Sequence, residues 1–161
     1  MTRVAEHEVA FLMIKPDGVQ RRLIGEILRR IEETDLKLIL AQLVSPSPMV
    51  AARHYMRKRD SSSGLTVAQA VDYLTSGPVF ISVWRGKVAV KKLRGLVGSR
   101  TDPYSCRKGT IRRDFANDSL ETANLEGRAV RNVVHSSNNP RSALSEVALW
   151  FGKRWRRRLV H

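Results

Sequence analysis

Cys106 is the only cysteine, which excludes an intramolecular disulfide and any multi-cysteine zinc site. It reads as a small side chain in a loop. No apolar run approaches the roughly 18 residues that a membrane helix needs. The opening MTRVAEHEVAFLMIKPDG lacks a secretory leader's basic start, long apolar centre and small-residue cleavage site, so the expected location is the cytoplasm, away from membranes. Acidic residues are also scarce: 15 Asp and Glu stand against 29 Lys and Arg, a formal net charge of +14. Such a surplus attracts polyanions, whether nucleic acid, acidic membrane or phosphorylated metabolites, without choosing among them. Part of it lies in GKRWRRRLVH, where Lys153, Arg154, Arg156, Arg157 and Arg158 stand with no acidic residue. That end reads either as a solvated basic tail or as a weak nucleic-acid contact. The patterns GxxxxGK[ST], HExxH and GxSxG are absent as well. A Walker-type nucleotide fold, a zincin and an α/β-hydrolase therefore have no support, and phosphate recognition falls to individual side chains.

At 161 residues and 42% hydrophobic, the chain suits a single domain with a real core. VAFLMIK (Val9 to Lys15) is a short apolar run closed by the turn signal Pro16-Asp17-Gly18, which predicts a buried strand. In RRLIGEILRRIEETD, Leu23, Ile24, Ile27, Leu28 and Ile31 recur at helical spacing. LKLILAQLV and PVFISVWRG are further strand candidates, and MVAARHYMRKR, LTVAQAVDYLTSG and KVAVKKLRGLVG are helical. The stretch from Gly98 to Asn117 reads as mostly loop, long enough to imply work, and its Arg100, Thr101, Arg107, Lys108, Thr110, Arg112 and Arg113 suggest anion contacts. A helix is expected over Ser119 to Arg131, a strand in NVVHSS, and a closing helix in PRSALSEVALWF with Pro140 at its start. Strands interleaved with helices in this number predict a four-stranded sheet with helices on one face.

On its own, His135 in this last strand reads as a core histidine satisfied by its neighbours. The company it keeps changes that reading. IKPDGVQRRLIGEIL, HY (His54 and Tyr55), SGPV, LRGLVG, GTIRRDF and RNVVHSS followed by LWF occur in one order over roughly residues 9 to 151. Together they resemble the successive signatures of nucleoside diphosphate kinase. The resemblance implies an α+β, ferredoxin-like four-stranded antiparallel sheet with helices packed on it. It divides the chain into a kinase-like domain, residues 1–151, and a basic C-terminal tail, residues 152–161.

The implied chemistry is reversible ping-pong transfer of the γ-phosphate from a nucleoside triphosphate to a nucleoside diphosphate through a phosphohistidine. His135 is then the nucleophile, which suits a neutral imidazole near pH 7. Glu146 in SEVALWF orients it, with support from Ser137. Lys15 meets the transferred phosphate and the sugar hydroxyl, Tyr55 positions that lysine, and Asn132 binds the sugar's 3′ hydroxyl. Arg94 and Arg112 bind phosphate, since guanidinium groups clamp phosphoryl oxygens in pairs and stay charged. Mg²⁺ accompanies the nucleotide, bound through its phosphates with few or no protein ligands. Family members are homo-oligomers, and a hexamer is expected before a tetramer.

Departures from the family pattern are informative. In GSRTDP both Ser99 and Arg100 stand where the family has a single residue; counting back from Arg112 makes Thr101 the phosphate ligand. Arg113 replaces the usual glycine after the phosphate-binding arginine and adds a charge near the site. The family's base-stacking phenylalanine is missing, since no aromatic occurs from Met56 to Asp72; Thr66 falls at its position, beside Leu65 and Val67. The insertion NDSLETANLEGRAV resembles archaeal members. A rival reading keeps the fold but makes the chain a nucleic-acid-binding protein with weak kinase activity. The missing aromatic and the arginine-rich end favour it, and retention of the whole site set opposes it.

Overall fold

The computed structural model describes residues 8–56, 66–153 and 155–159. Strand β1 (Glu8–Ile14) sits inside a four-stranded antiparallel sheet of order β2-β3-β1-β4, with β2 (Lys37–Val44), β3 (Val79–Gly86) and β4 (Val134–Ser136). Ala10, Leu12 and Ile14 enter one core cluster, with Ile27, Ile31, Trp84 and Leu93, while Phe11 and Met13 enter a second, with Ala51, Leu74, Ile81 and Val147. Successive strand residues face opposite ways, so a strand covered on both sides must be apolar throughout. This explains why VAFLMI shows no alternation. It also corrects the expectation of helices on one face, because helices cover both. The four-stranded ferredoxin-like α+β arrangement is otherwise as expected.

Pro16-Asp17-Gly18 does not make a simple turn. It opens a short helix α1 (Pro16–Gln20), with Pro16 in its first turn, where a missing N–H costs nothing. Gly18 is needed there because a Cβ would lie 2.7 Å from Ile14 Cγ2 and 3.1 Å from Val133 Cγ1. The chain reverses at Arg22 (φ 57°) before α2 (Ile24–Glu32) carries the predicted apolar stripe. Helices α3 (Pro48–Met56) and α4 (Val67–Leu74) follow β2, and α5 (Ala89–Val97) follows β3. Residues 57–65, including the DSSSG loop and Leu65, lie outside the described residues.

The stretch after Gly98 is less of a loop than expected. It holds a 3₁₀ turn (Pro103–Ser105) and α6 (Ile111–Phe115), tied to α2 by the Arg30–Asp114 ion pair at 2.7 Å. Gly109 N donates to the same Asp114 at 3.0 Å. Cys106 is buried under this turn, where its Sγ would lie 2.9 Å from any Cβ at Gly98 (φ 106°). Helix α7 covers only Leu120–Leu125, since Gly127 takes a left-handed φ of 63° and Arg128 to Arg131 run as a loop. Helix α8 (Pro140–Phe151) closes the fold, capped by Asn139, whose Oδ1 accepts from Ser142 N at 2.8 Å. Trp155, beyond it, packs into the second cluster.

Candidate active site

β1 and β4 end side by side, and the site is built where they do. Lys15 follows β1 in extended conformation, as a residue before proline prefers. Its backbone N–H donates to Val133 O at 2.8 Å and its Nζ donates to Asn132 Oδ1 at 2.7 Å. Val133 adopts φ 68°, with Val134 N bonded to Asn132 O at 2.7 Å, a tight reversal that a β-branched residue resists. The surroundings enforce it: Asp17 Oδ2 accepts from Val133 N at 3.1 Å. The other Asp17 oxygen accepts from the Tyr73 hydroxyl, and the Tyr73 ring lies 5.2 Å from Lys15 Nζ. This reversal is why NVVHSS yields a strand of only Val134–Ser136. It also turns the Asn132 amide toward Lys15.

His135, on β4, is buried with its Nε2 2.9 Å from Glu146 Oε1, and the Ser137 hydroxyl donates to Glu146 Oε2. An ionised carboxylate can only accept, so the neutral ring keeps its proton on Nε2 and its lone pair on Nδ1. His54 packs edge-on against that ring, with centroids 4.8 Å apart. Trp150 Nε1 donates to His54 Nδ1 at 3.2 Å, and a ring nitrogen that accepts from an indole carries no proton, so His54 is neutral.

Arg94, near the end of α5, donates from Nη1 to Asn138 Oδ1 at 2.6 Å and from Nη2 to Ser99 O at 3.0 Å. Arg112, in α6, is 7% exposed. Its Nη1 donates to Gly98 O at 3.2 Å and Arg100 O at 2.7 Å, and its Nε and Nη2 donate to Val134 O at 3.3 and 2.9 Å. Burial lowers its pKa to about 10, so it is cationic at neutral pH. Among the described residues neither arginine forms an ion pair with a carboxylate. Asn132 Nδ2 donates to Thr101 O at 2.8 Å, which ties the threonine's loop to the sheet edge.

These residues line one cleft of about 510 Å³, in which Lys15, Tyr55, Arg94, Thr101, Arg112, Asn132, His135 and Glu146 all appear. Every site residue expected from the sequence is thus brought together. Burial pushes the Tyr55 hydroxyl pKa upward, with Arg112 opposing and Asp17 adding to the rise, so it is a neutral donor. Tyr73 also lies beside Lys15, its ring centroid 5.2 Å from Nζ, and sequence reasoning missed it along with Asp17; the two sit inside patterns that read as helix and turn. Arg113 does not line the cleft. Its guanidinium lies 5.1 Å from the ring centroid of exposed Tyr104.

His54, His135 and Glu146 place possible metal-ligand atoms within 4.8 Å of one another. Hydrogen bonds already occupy His54 Nδ1, His135 Nε2 and both Glu146 oxygens, and the cationic rim of Lys15, Arg94 and Arg112 suits an anion better than a cation.

Thr66 and Val67 line the cleft's far end with Ala70, Ala129 and Val130. Thr66 is the N-cap of α4, accepting from Gln69 N at 3.1 Å while Gln69 Oε1 accepts from Thr66 N at 2.9 Å. An aromatic placed there would break the cap at a cost of about 1 kcal/mol. Val67, 46% exposed, is the better position. Val67→Phe is expected to lower the Michaelis constant for nucleoside diphosphates about tenfold, with turnover nearly unchanged, because stacking stabilises bound substrate and transition state alike. Steady-state kinetics with two different bases checks this; an unchanged constant would show that the base does not lie against α4.

A buried imidazole held by a carboxylate, sharing its cleft with two arginines that have no acidic partner among the described residues, suits a phosphoryl-transfer enzyme acting on polyphosphate substrates. The sequence profile described as nucleoside diphosphate kinase matches residues 8–155. A nucleoside diphosphate kinase of Symbiobacterium thermophilum is 41% identical over 91% of this chain and 88% of its own length. One from Archaeoglobus fulgidus is 41% identical over 89% and 86%. An NDP kinase crystal structure from Pyrobaculum aerophilum superposes with a TM-score of 0.83 at 31% identity, covering 96% of this chain and all of that one. A Borrelia burgdorferi nucleoside-diphosphate kinase, described as a transition-state mimic with bound vanadate and ADP, gives 0.83 at 30% identity over 92% and 89%. The chain belongs to the nucleoside diphosphate kinase family and is a phosphotransferase; the nucleic-acid-binding alternative is not favoured.

Proposed function

We propose that the reaction runs through His135 in two mirrored steps. Nδ1 attacks the terminal phosphorus of a nucleoside triphosphate; the P–N bond forms, the bond to the bridging oxygen breaks, and the nucleoside diphosphate leaves. The ring, still protonated at Nε2, becomes cationic, and Glu146 stabilises that charge while Ser137 keeps the carboxylate in place. A terminal oxygen of a second nucleoside diphosphate then attacks the phosphorus, and the P–N bond breaks, which restores the neutral ring. Arg94, Arg112, Thr101 and Lys15 bind the phosphate oxygens. Lys15 and Asn132 also meet the sugar hydroxyl, and Tyr55 donates into the same cleft. The observation that carries this reading is the pairing of the His135–Glu146 contact at 2.9 Å with a buried Arg112 that, among the described residues, meets no carboxylate.

Mg²⁺ fits as an ion carried by the substrate. Among the described residues the only carboxylate lining the cleft, Glu146, is occupied by His135 and Ser137. When bound, the ion neutralises charge on the phosphate oxygens. A homo-oligomer, hexamer before tetramer, is part of the proposal; edge strand β2 exposes Leu38 and Leu43, a surface suited to a second copy. Residues 1–151 form the kinase unit and 152–161 a basic end able to make weak nucleic-acid contacts. The expected location is the cytoplasm; separately, among the described residues no helix is long and apolar enough to cross a membrane.

The test is brief incubation with terminally labelled triphosphate, followed by peptide mapping under alkaline conditions. Acid-labile, base-stable label on the His135 peptide is expected. Acid-stable label, as a phosphoserine would give, contradicts the proposal.

A further inference from the structure

The arm between α6 and β4 carries a circuit of hydrogen bonds whose two carboxylates, Asp118 and Asp102, lie outside the cleft. At one corner Asp118, 8% exposed, accepts from Ser119 N at 2.9 Å and Arg131 N at 2.8 Å. Arg128 adds a forked contact to the same carboxylate, Nη1 at 2.6 Å and Nη2 at 3.0 Å. At the other corner Asp102 Oδ1 accepts from Leu120 N at 3.0 Å, and its Oδ2 accepts from Ser105 Oγ at 2.7 Å. Asp102 follows Thr101 and Arg131 precedes Asn132; the Asn132 Nδ2 bond to Thr101 O at 2.8 Å closes the ring.

We propose that Asp118 and Asp102 are positioning residues that set the substrate's sugar discrimination by fixing the Asn132 amide. The inference rests on the reading of Asn132 as the ligand of the sugar's 3′ hydroxyl. An amide has two faces that differ in hydrogen-bonding sense, and only a held amide can tell a hydroxyl from a hydrogen. Asn132 is held at three points: Oδ1 by Lys15, Nδ2 by Thr101 O, and its backbone between the Asp118-bound N–H of Arg131 and the strained Val133. Without Asp118, Arg131 N loses its acceptor and Arg128 its forked carboxylate, and the bonds that tie the segment leading into Asn132 to the start of α7 are lost. Asp102 acts from the opposite side by anchoring the loop whose carbonyl holds Nδ2. Neither carboxylate lines the cleft, so neither touches substrate.

The test compares binding of ADP and 3′-deoxy-ADP by titration calorimetry to the full chain and its variants. The unaltered protein is expected to favour ADP about tenfold, near the upper end of what one hydrogen bond contributes. In Asp118→Ala that preference is expected to shrink to about twofold, mainly through weaker ADP binding. Asp102→Ala, at a half-buried position less costly to the fold, is expected to move the ratio the same way and serves if Asp118→Ala does not fold. Equal weakening of both ligands, with the preference kept, overturns the proposal, since that is what general loosening does. No preference in the unaltered protein overturns the reading of Asn132 and the proposal together.

Discussion

His135→Ala is expected to reduce exchange between a triphosphate and a different diphosphate by at least about 10⁴-fold, the scale seen when a covalent nucleophile is removed. Ser137, two positions along the chain, is no substitute, because its hydroxyl is committed to Glu146. The ring also packs against Phe11 and His54, with centroids 6.1 and 4.8 Å away, so the fold of the variant is checked separately. Glu146→Ala is expected to fall less far. It keeps the imidazole but releases its orientation and leaves the cation formed on phosphorylation without a counter-charge. Radiolabel exchange on both variants, alongside thermal melts, checks this ordering. More than a hundredth of normal activity in a well-folded His135→Ala would remove the covalent mechanism.

Arg112→Ala is expected to have two effects, where Arg94→Ala has one. Both should lower turnover by about 10² or more, as loss of a preorganised donor to developing charge does. Only Arg112 also holds three backbone carbonyls, those of Gly98, Arg100 and Val134. Its removal leaves buried acceptors unsatisfied and is expected to lower stability by about 2 kcal/mol or more. Arg112→Lys should recover part of each, since an ammonium cannot reach carbonyls on two separate segments at once. Urea midpoints and turnover numbers for the three variants separate the roles. If Arg112→Ala melts like the unaltered protein, the carbonyl contacts are not an anchor. Burial lowers the Arg112 pKa only to about 10, so its charge persists through the neutral range in which exchange is measured.

Much of this was legible in the amino-acid order. The uninterrupted apolar run marked β1, helical spacing marked the stripe of α2, and the family resemblance named the residues that the cleft gathers. What escaped was whatever depended on backbone partners or distant contacts. Pro16-Asp17-Gly18 carries a local turn signal, and only the close approach of Ile14 and Val133 to Gly18 shows why a helix starts there. Tyr73 reads as one more apolar position of α4, although its hydroxyl reaches Asp17 and its ring lies against Lys15. The double duty of Arg112 leaves no sequence signature, because its partners are carbonyls, which every residue has. The left-handed Val133 runs against its residue type and exists only because tertiary bonds enforce it.

Lys15 and Asn132, whose side chains meet at 2.7 Å, are 117 positions apart. Contacts that distant form late, after the costly closure of the intervening chain. During refolding, helical signal should therefore return well before enzyme activity, and the lag between the two measures the final joining of the first strand to the last. A nascent chain that has not released β4 from the ribosome holds every part of the first strand and no catalytic power at all.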